Sequence, residues 1–205
     1  MNKHFSLIGS RSVADYISLL SIPLFISGVF LIFKGQPELA LLVGVAAFLI
    51  DTIDGAVARR IGQESDFGRQ LDSSLDVLNY LVFPVFFIMV FLSANIFVSI
   101  FSASIVIGFG ILRLIRFNNQ GFLKQDGSRY YAGLGVAYIL LAVIVFYLLN
   151  YFLGNWVNWL VPPSLFFLSL AMISEFPLRK PKLAVWYSFT AGIVFILISI
   201  YFKWL

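Results

Sequence analysis

Long apolar runs separated by short polar stretches dominate this chain. Seven stand out, at 14–33, 38–58, 75–93, 97–116, 130–152, 157–174 and 183–204. Most have the roughly 20 residues that a hydrocarbon core asks of a helix rising about 1.5 Å per residue. The pattern therefore predicts about seven transmembrane helices. The sixth run holds Pro162 and Pro163 and is expected to be short or kinked. The first is too long for a cleavable signal and lacks a small-residue cleavage pattern. The connections are short, with no linker, low-complexity segment or repeat. Residues 1–205 thus read as a single membrane-embedded domain of the all-α class, a polytopic helical bundle. Residues 1–12, MNKHFSLIGSRS, form either an interfacial segment with Phe5, Leu7 and Ile8 against lipid or an unstructured tail.

Composition agrees with the pattern. The chain is 60% hydrophobic and 12% charged, with 23 phenylalanines and a mean hydropathy of +0.95. A soluble domain of this size could not hide that much apolar surface. There are no cysteines, and the one histidine is His4. Disulfides, thiolate metal sites and cysteine nucleophiles are excluded, and a metal site in the core must use oxygen ligands, which favours hard cations. The net charge of +4 fits basic loops facing an anionic leaflet rather than nucleic acid. With the N-terminus cytoplasmic and the spans alternating, twelve of the fourteen Lys and Arg residues fall inside, leaving Lys34 and Lys203 outside. Trp156 and Trp159 then fall in the outer aromatic belt and Trp186 near the inner one.

Against this background one stretch is anomalous. The segment 51-DTIDGAVARRIGQESDFGRQLDSSLD-76 carries six of the ten acidic residues. A helix turns about 100° per residue, so with Asp51 at zero, Asp54 lies near −60°, Gly55 near +40° and Ala58 near −20°. On the following helix Gly68, Asp72 and Asp76 recur every four residues and share a face. Antiparallel neighbours joined by a short loop bring the two acidic faces together. A single aspartate in a span costs about 2.5–3.5 kcal/mol at the centre of the helix and less near an interface. Four in one place repel each other and need cations. Arg59, Arg60 and Arg69 supply some positive charge, and two divalent metals would neutralise four carboxylates, as in two-metal phosphoryl chemistry. Gly55, Ala58 and Gly68 leave room for a large ligand beside the carboxylates, or alternatively serve close helix packing. Glu64 and Asp66 lie off this face and read as solvated loop charges.

The spacing D-x-x-D-G-x-x-A-R-x8-G-x3-D-x3-D, met at Asp51, Asp54, Gly55, Ala58, Arg59, Gly68, Asp72 and Asp76, resembles that of the CDP-alcohol phosphatidyltransferases. The resemblance implies a six-helix core, here with one further helix, and displacement of CMP from a CDP-linked lipid or alcohol by a hydroxyl-bearing acceptor. It implies that Asp51, Asp54 and Asp72 hold two divalent cations, Mg²⁺ or Mn²⁺, on the pyrophosphate. Asp76 would share the metal site and act as the general base, while Gly55, Ala58, Arg59 and Gly68 would form the CDP-lipid pocket. It also implies a homodimer, with the active site at the cytoplasmic face of the cell membrane.

Further segments bear on the acceptor. The stretches 112-LRLIRFN-118 and 171-AMISEFPLRKPK-182, together with DYISLLSIP in the first span, resemble the phosphatidylserine synthases of that family. Arg113 and Arg116 are then candidates for the serine carboxylate, with Asn118 beside them, or else positive-inside anchors reaching lipid headgroups. The implied partners are CDP-diacylglycerol and serine. The segment 130-YYAGLGVAY-138 lacks the prolines of those synthases, which keeps glycerol-3-phosphate, inositol phosphate or another alcohol open as acceptor. A cation transporter is the alternative from another class. It would place carboxylates near the bilayer midplane on broken helices, whereas here they gather at one interface.

Overall fold

The computed structural model describes residues 13–61, 66–121, 123–125, 128–179 and 190. The chain enters through α1 (Val13–Leu19) and α2 (Ser21–Phe33), which interrupt at Leu20 what hydropathy reads as one run. Gly35, at φ +70°, closes α2, with the Gln36 N–H returning to the Leu31 carbonyl. Pro37 then starts α3 (Pro37–Ile61), where its missing N–H costs the helix nothing. That tight reversal lays α2 antiparallel against α3. At 25 residues, α3 is about 37 Å long.

The next helical rod runs from Asp66 to Phe91 in three parts: α4 (Asp66–Asp76), a π-helical stretch (Val77–Val82) and α5 (Phe83–Phe91). The acidic face and the third apolar run thus belong to one rod, which starts nine residues before the apolar run at 75. Pro84 explains the widened middle. Proline lacks an N–H and crowds the carbonyl four residues earlier, here that of Tyr80. The turn before it opens, and the Phe83 N–H donates to Leu78 O, five residues back. Phe83 then fills the space between two helices. A Cβ at Gly28 of α2 or at Gly44 of α3 would stand 2.8 Å from its ring, so only glycine lets α2 and α3 close around it. Helix α6 (Ile96–Gln120) starts at Asn95, whose side chain accepts from the Phe97 and Val98 N–H groups.

Two sequence expectations are corrected after α6. The run 130–152 is not helical throughout: β2 (Ser128–Ala132) comes first, and α7 is Ala137–Leu153. A three-stranded antiparallel sheet forms from β1 (Leu123–Gln125), β2 and β3 (Pro177–Arg179), in that order. Leu123 pairs with Tyr130, and Tyr131 with Leu178. The fold is therefore mostly helical with a small sheet, not purely α. A 3-10 turn (Asn155–Trp159) leads into α8 (Val161–Ile173). Pro162 and Pro163 sit in its first turn, where they start the helix without bending it. The seventh run, 183–204, and the segment 1–12 lie outside the described residues apart from Thr190.

Among the described residues, Asp15–Phe33, Phe67–Phe91 and Ile96–Gln120 are long and apolar enough to cross a membrane, with Ala137–Leu153 and Val161–Ile173 shorter but apolar. The core gathers Ile32, Leu41, Leu81, Phe87, Leu140 and Leu165. Phe33, Phe97, Phe101 and Phe167 point outward, each about two-thirds exposed or more. An apolar exterior around a packed apolar core is the arrangement of a helical bundle solvated by lipid.

Candidate functional site

The α3 and α4 backbones bring the predicted carboxylates together. One oxygen from each of Asp51, Asp72 and Asp76 lies within 4.8 Å of the other two. All three residues are half-buried. Asp54 is buried at 4% exposure and acts electrostatically on Asp51 and Asp76. It is a close neighbour of the three converging oxygens, not one of them. Two unit charges 4.8 Å apart repel by about 3.5 kcal/mol at an effective dielectric near 20, so three ionised carboxylates here need compensation.

The donor set fits a hard divalent cation. Oxygen ligands from two rigid helices converge, and the chain has no cysteine to make the site soft. The single group of three or more possible metal ligands among the described residues is this one.

Tyr80 joins this cluster and was not singled out from the sequence. Its hydroxyl donates to Asp51 Oδ2 at 3.0 Å, and the residue is 2% exposed. A signal was available, because Tyr80 continues the four-residue series of Gly68, Asp72 and Asp76.

Of the pocket residues, Gly55, Ala58 and Arg59 lie on the last turns of α3, and their side chains fall outside the described residues. Gly68 is half-buried in the first turn of α4. The structure brings both glycines onto the helices that carry the carboxylates.

The three acceptor candidates on α6 have different surroundings. Arg113 is buried at 6% exposure, its guanidinium lies 5.2 Å from the centre of the Phe117 ring, and it acts electrostatically on Asp76. A Cβ at Gly135 would stand 3.9 Å from Arg113 Nη2. Arg116, three residues on, serves backbone. Its Nη1 donates to Ile173 O at 2.7 Å, and its Nη2 reaches Ala132 O at 2.8 Å and both Met172 O and Ser174 O at 3.0 Å. These are the last carbonyls of α8 and the last of β2, which otherwise lack intrahelical partners. Gly133, at φ +73°, completes that junction, because a Cβ there would come within 2.8 Å of the Ala171, Met172 and Ser174 oxygens. Asn118 Oδ1 accepts from the Ser73 hydroxyl at 3.0 Å, tying the end of α6 to the helix of Asp72 and Asp76.

The chain is similar to known proteins over most of its length. A family model described as CDP-alcohol phosphatidyltransferase matches residues 11–171. A CDP-diacylglycerol–serine O-phosphatidyltransferase of Methanocaldococcus jannaschii is 34% identical over 122 residues, 58% of this chain and 56% of that protein. An archaetidylserine synthase of Methanothermobacter thermautotrophicus is 28% identical over 145 residues, 69% of this chain and 60% of that protein. A CDP-diacylglycerol–serine O-phosphatidyltransferase of Mycobacterium leprae is 30% identical over 113 residues, 55% of this chain and 37% of that protein. The chain thus spans only part of the length of each relative it matches.

Proposed function

The chain belongs to the CDP-alcohol phosphatidyltransferase family and is a transferase of phospholipid synthesis, and from that premise we propose that it moves the phosphatidyl group of CDP-diacylglycerol to the hydroxyl of L-serine, releasing CMP. The observation that carries the proposal is the convergence of Asp51, Asp72 and Asp76 within 4.8 Å. Two relatives with serine in their printed activity support the acceptor.

In this reading Asp51, Asp54, Asp72 and Asp76 hold two divalent cations, Mg²⁺ or Mn²⁺. Bound there, the cations supply charge neutralisation of the pyrophosphate and of the departing CMP. Asp76 takes the proton of the serine hydroxyl as its oxygen bonds to the lipid-linked phosphorus. The bond from that phosphorus to the bridging oxygen breaks, and CMP leaves with the electron pair. Gly55, Ala58, Arg59 and Gly68 form the CDP-lipid pocket. Arg113, which acts electrostatically on Asp76, meets the serine carboxylate with its planar fork. Asn118 and Arg116 shape the wall of the acceptor site from behind.

The reading extends to the whole assembly. The N-terminus is cytoplasmic, the site opens to the cytoplasm and the protein works as a homodimer. A lipid donor then keeps its tails in the membrane while its headgroup meets a water-soluble acceptor.

The test is an acceptor screen. Purified protein with Mn²⁺ and CDP-diacylglycerol or its archaeal ether analogue is offered serine, glycerol-3-phosphate, inositol phosphate or no acceptor, and CMP is quantified. Serine-dependent release is expected. Release only with a phosphorylated acceptor would keep the metal chemistry and overturn the acceptor. No release under any condition would overturn serine as the acceptor and exclude both phosphorylated alternatives.

A further inference from the structure

We propose that Tyr80 is a positioning residue of the cation site, whose hydroxyl fixes the Asp51 carboxylate in the orientation that meets Asp72 and Asp76. The inference rests on the metal-binding reading above and adds a residue outside the acidic motif.

Two sets of contacts fix where the hydroxyl points. The Tyr80 ring packs edge-on against Phe48, with centroids 6.1 Å apart and an interplanar angle of 67°. Phe48 lies on α3 three residues before Asp51, about one helical turn. Ring support and carboxylate therefore come from the same rigid element. On its own rod Tyr80 sits in the π-helical stretch between Asp76 and Pro84. The residues after it are locked: a Cβ at Gly110 would overlap the Leu81 side chain, and Phe83 is held between Gly28 and Gly44. The widened turn cannot slide without breaking that packing.

The chemistry suits the place. A phenol donates one hydrogen bond, and a carboxylate offers about four lone-pair positions. Tyr80 occupies one position on Oδ2, and the group has others that a cation can share. A buried carboxylate free to turn about its terminal torsion would lose that aim. Residues that hydrogen-bond a ligand from behind set its orientation, and their loss costs roughly 10–100-fold in metal affinity. π-helical stretches recur at functional sites, and here one delivers a side chain to Asp51.

The experiment compares wild type with Tyr80→Phe, which keeps the ring and removes the hydroxyl. Mn²⁺ binding is read by the loss of the free-ion paramagnetic resonance signal, CMP release is titrated in Mn²⁺, and unfolding is followed without metal. The expected result is about tenfold weaker Mn²⁺ binding, turnover restored by excess Mn²⁺, and a metal-free unfolding midpoint lowered by no more than a few degrees. Unchanged Mn²⁺ affinity, or a lower turnover that excess Mn²⁺ does not restore, would overturn the proposal. Phe48→Leu keeps the hydroxyl and loosens the ring, so it should weaken Mn²⁺ binding less than Tyr80→Phe. The reverse order would place the effect in packing and overturn the assignment. If wild type itself binds no Mn²⁺, the cation site fails and this inference with it. If wild type binds and Tyr80→Phe binds equally well, this inference alone fails.

Discussion

Helix α3 carries two carboxyl groups that each accept a hydrogen bond from a tyrosine of a later helix. Near its start, Glu38 Oε1 receives the Tyr147 hydroxyl at 2.6 Å. Thirteen residues on, about 20 Å along the axis, Asp51 Oδ2 receives that of Tyr80 at 3.0 Å. The pairs are alike in chemistry, and they differ in company. Tyr147 stacks edge-on against Phe87 at 5.5 Å, and the described residues place no group of three acidic side chains there. Asp51 stands with Asp72 and Asp76. One buried carboxyl with a donor is a pin between helices. Several that converge repel one another and call for a cation, and only that arrangement reads as a site.

The strongest way to break the comparison is to strike the crowded pair. Asp76→Asn removes the proton acceptor and one ligand oxygen while keeping the side chain's volume. CMP release should fall by about a thousandfold or more, given that general-base catalysis alone is typically worth 10²–10⁴. Binding of the CDP-lipid, followed by its protection against thermal unfolding, should largely remain. Wild-type turnover would make Asp76 a spectator and reduce the cluster to structure.

Helix α6 repeats the contrast with arginines. Arg113 faces Asp76 electrostatically, whereas Arg116 gives its fork to four carbonyls. Arg113→Lys should raise the KM for the acceptor about tenfold, on the order of one lost charge-assisted hydrogen bond, with little change in the unfolding midpoint. Arg116→Lys should do the opposite. A single ammonium cannot span four carbonyls, so stability should drop by about 1–3 kcal/mol while the KM changes only modestly. Equal KM shifts from both would erase the distinction between a substrate contact and a scaffold clamp.

These outcomes bear on what could be read from the sequence. The acidic faces were legible because helical periodicity projects residues three and four apart onto one side, and both helices formed where the spacing required. Tyr80 obeyed the same period, yet an aromatic in so apolar a run reads as packing until its hydroxyl is seen to meet Asp51. Arg116 was invisible as a clamp, since its partners are backbone carbonyls, one 16 residues away and three 56 to 58 away. The strand Ser128–Ala132 merged with the apolar run that follows it, because its pairing depends on Pro177–Arg179, a partner that no local pattern announces. Pro84 did announce the widened turn, although hydropathy gives no weight to a missing N–H.

The mildest prediction tests the solitary pair. Tyr147→Phe removes a hydroxyl from the far end of α3 and leaves the ring against Phe87. A hydrogen bond to a carboxyl group is worth about 1.5–3 kcal/mol when the acceptor is charged and about 1 when it is neutral, so the unfolding midpoint should fall by a few degrees. Because Glu38 lies about 20 Å from Asp51 along the same helix, Mn²⁺ affinity and acceptor KM should stay at wild-type values. Tyr80→Phe should carry a comparable stability cost and lose metal affinity as well. The two phenols are chemically identical, and each is removed by the same one-atom change. If both variants altered metal binding, α3 would be transmitting strain between its ends, and company alone would no longer separate the pin from the site.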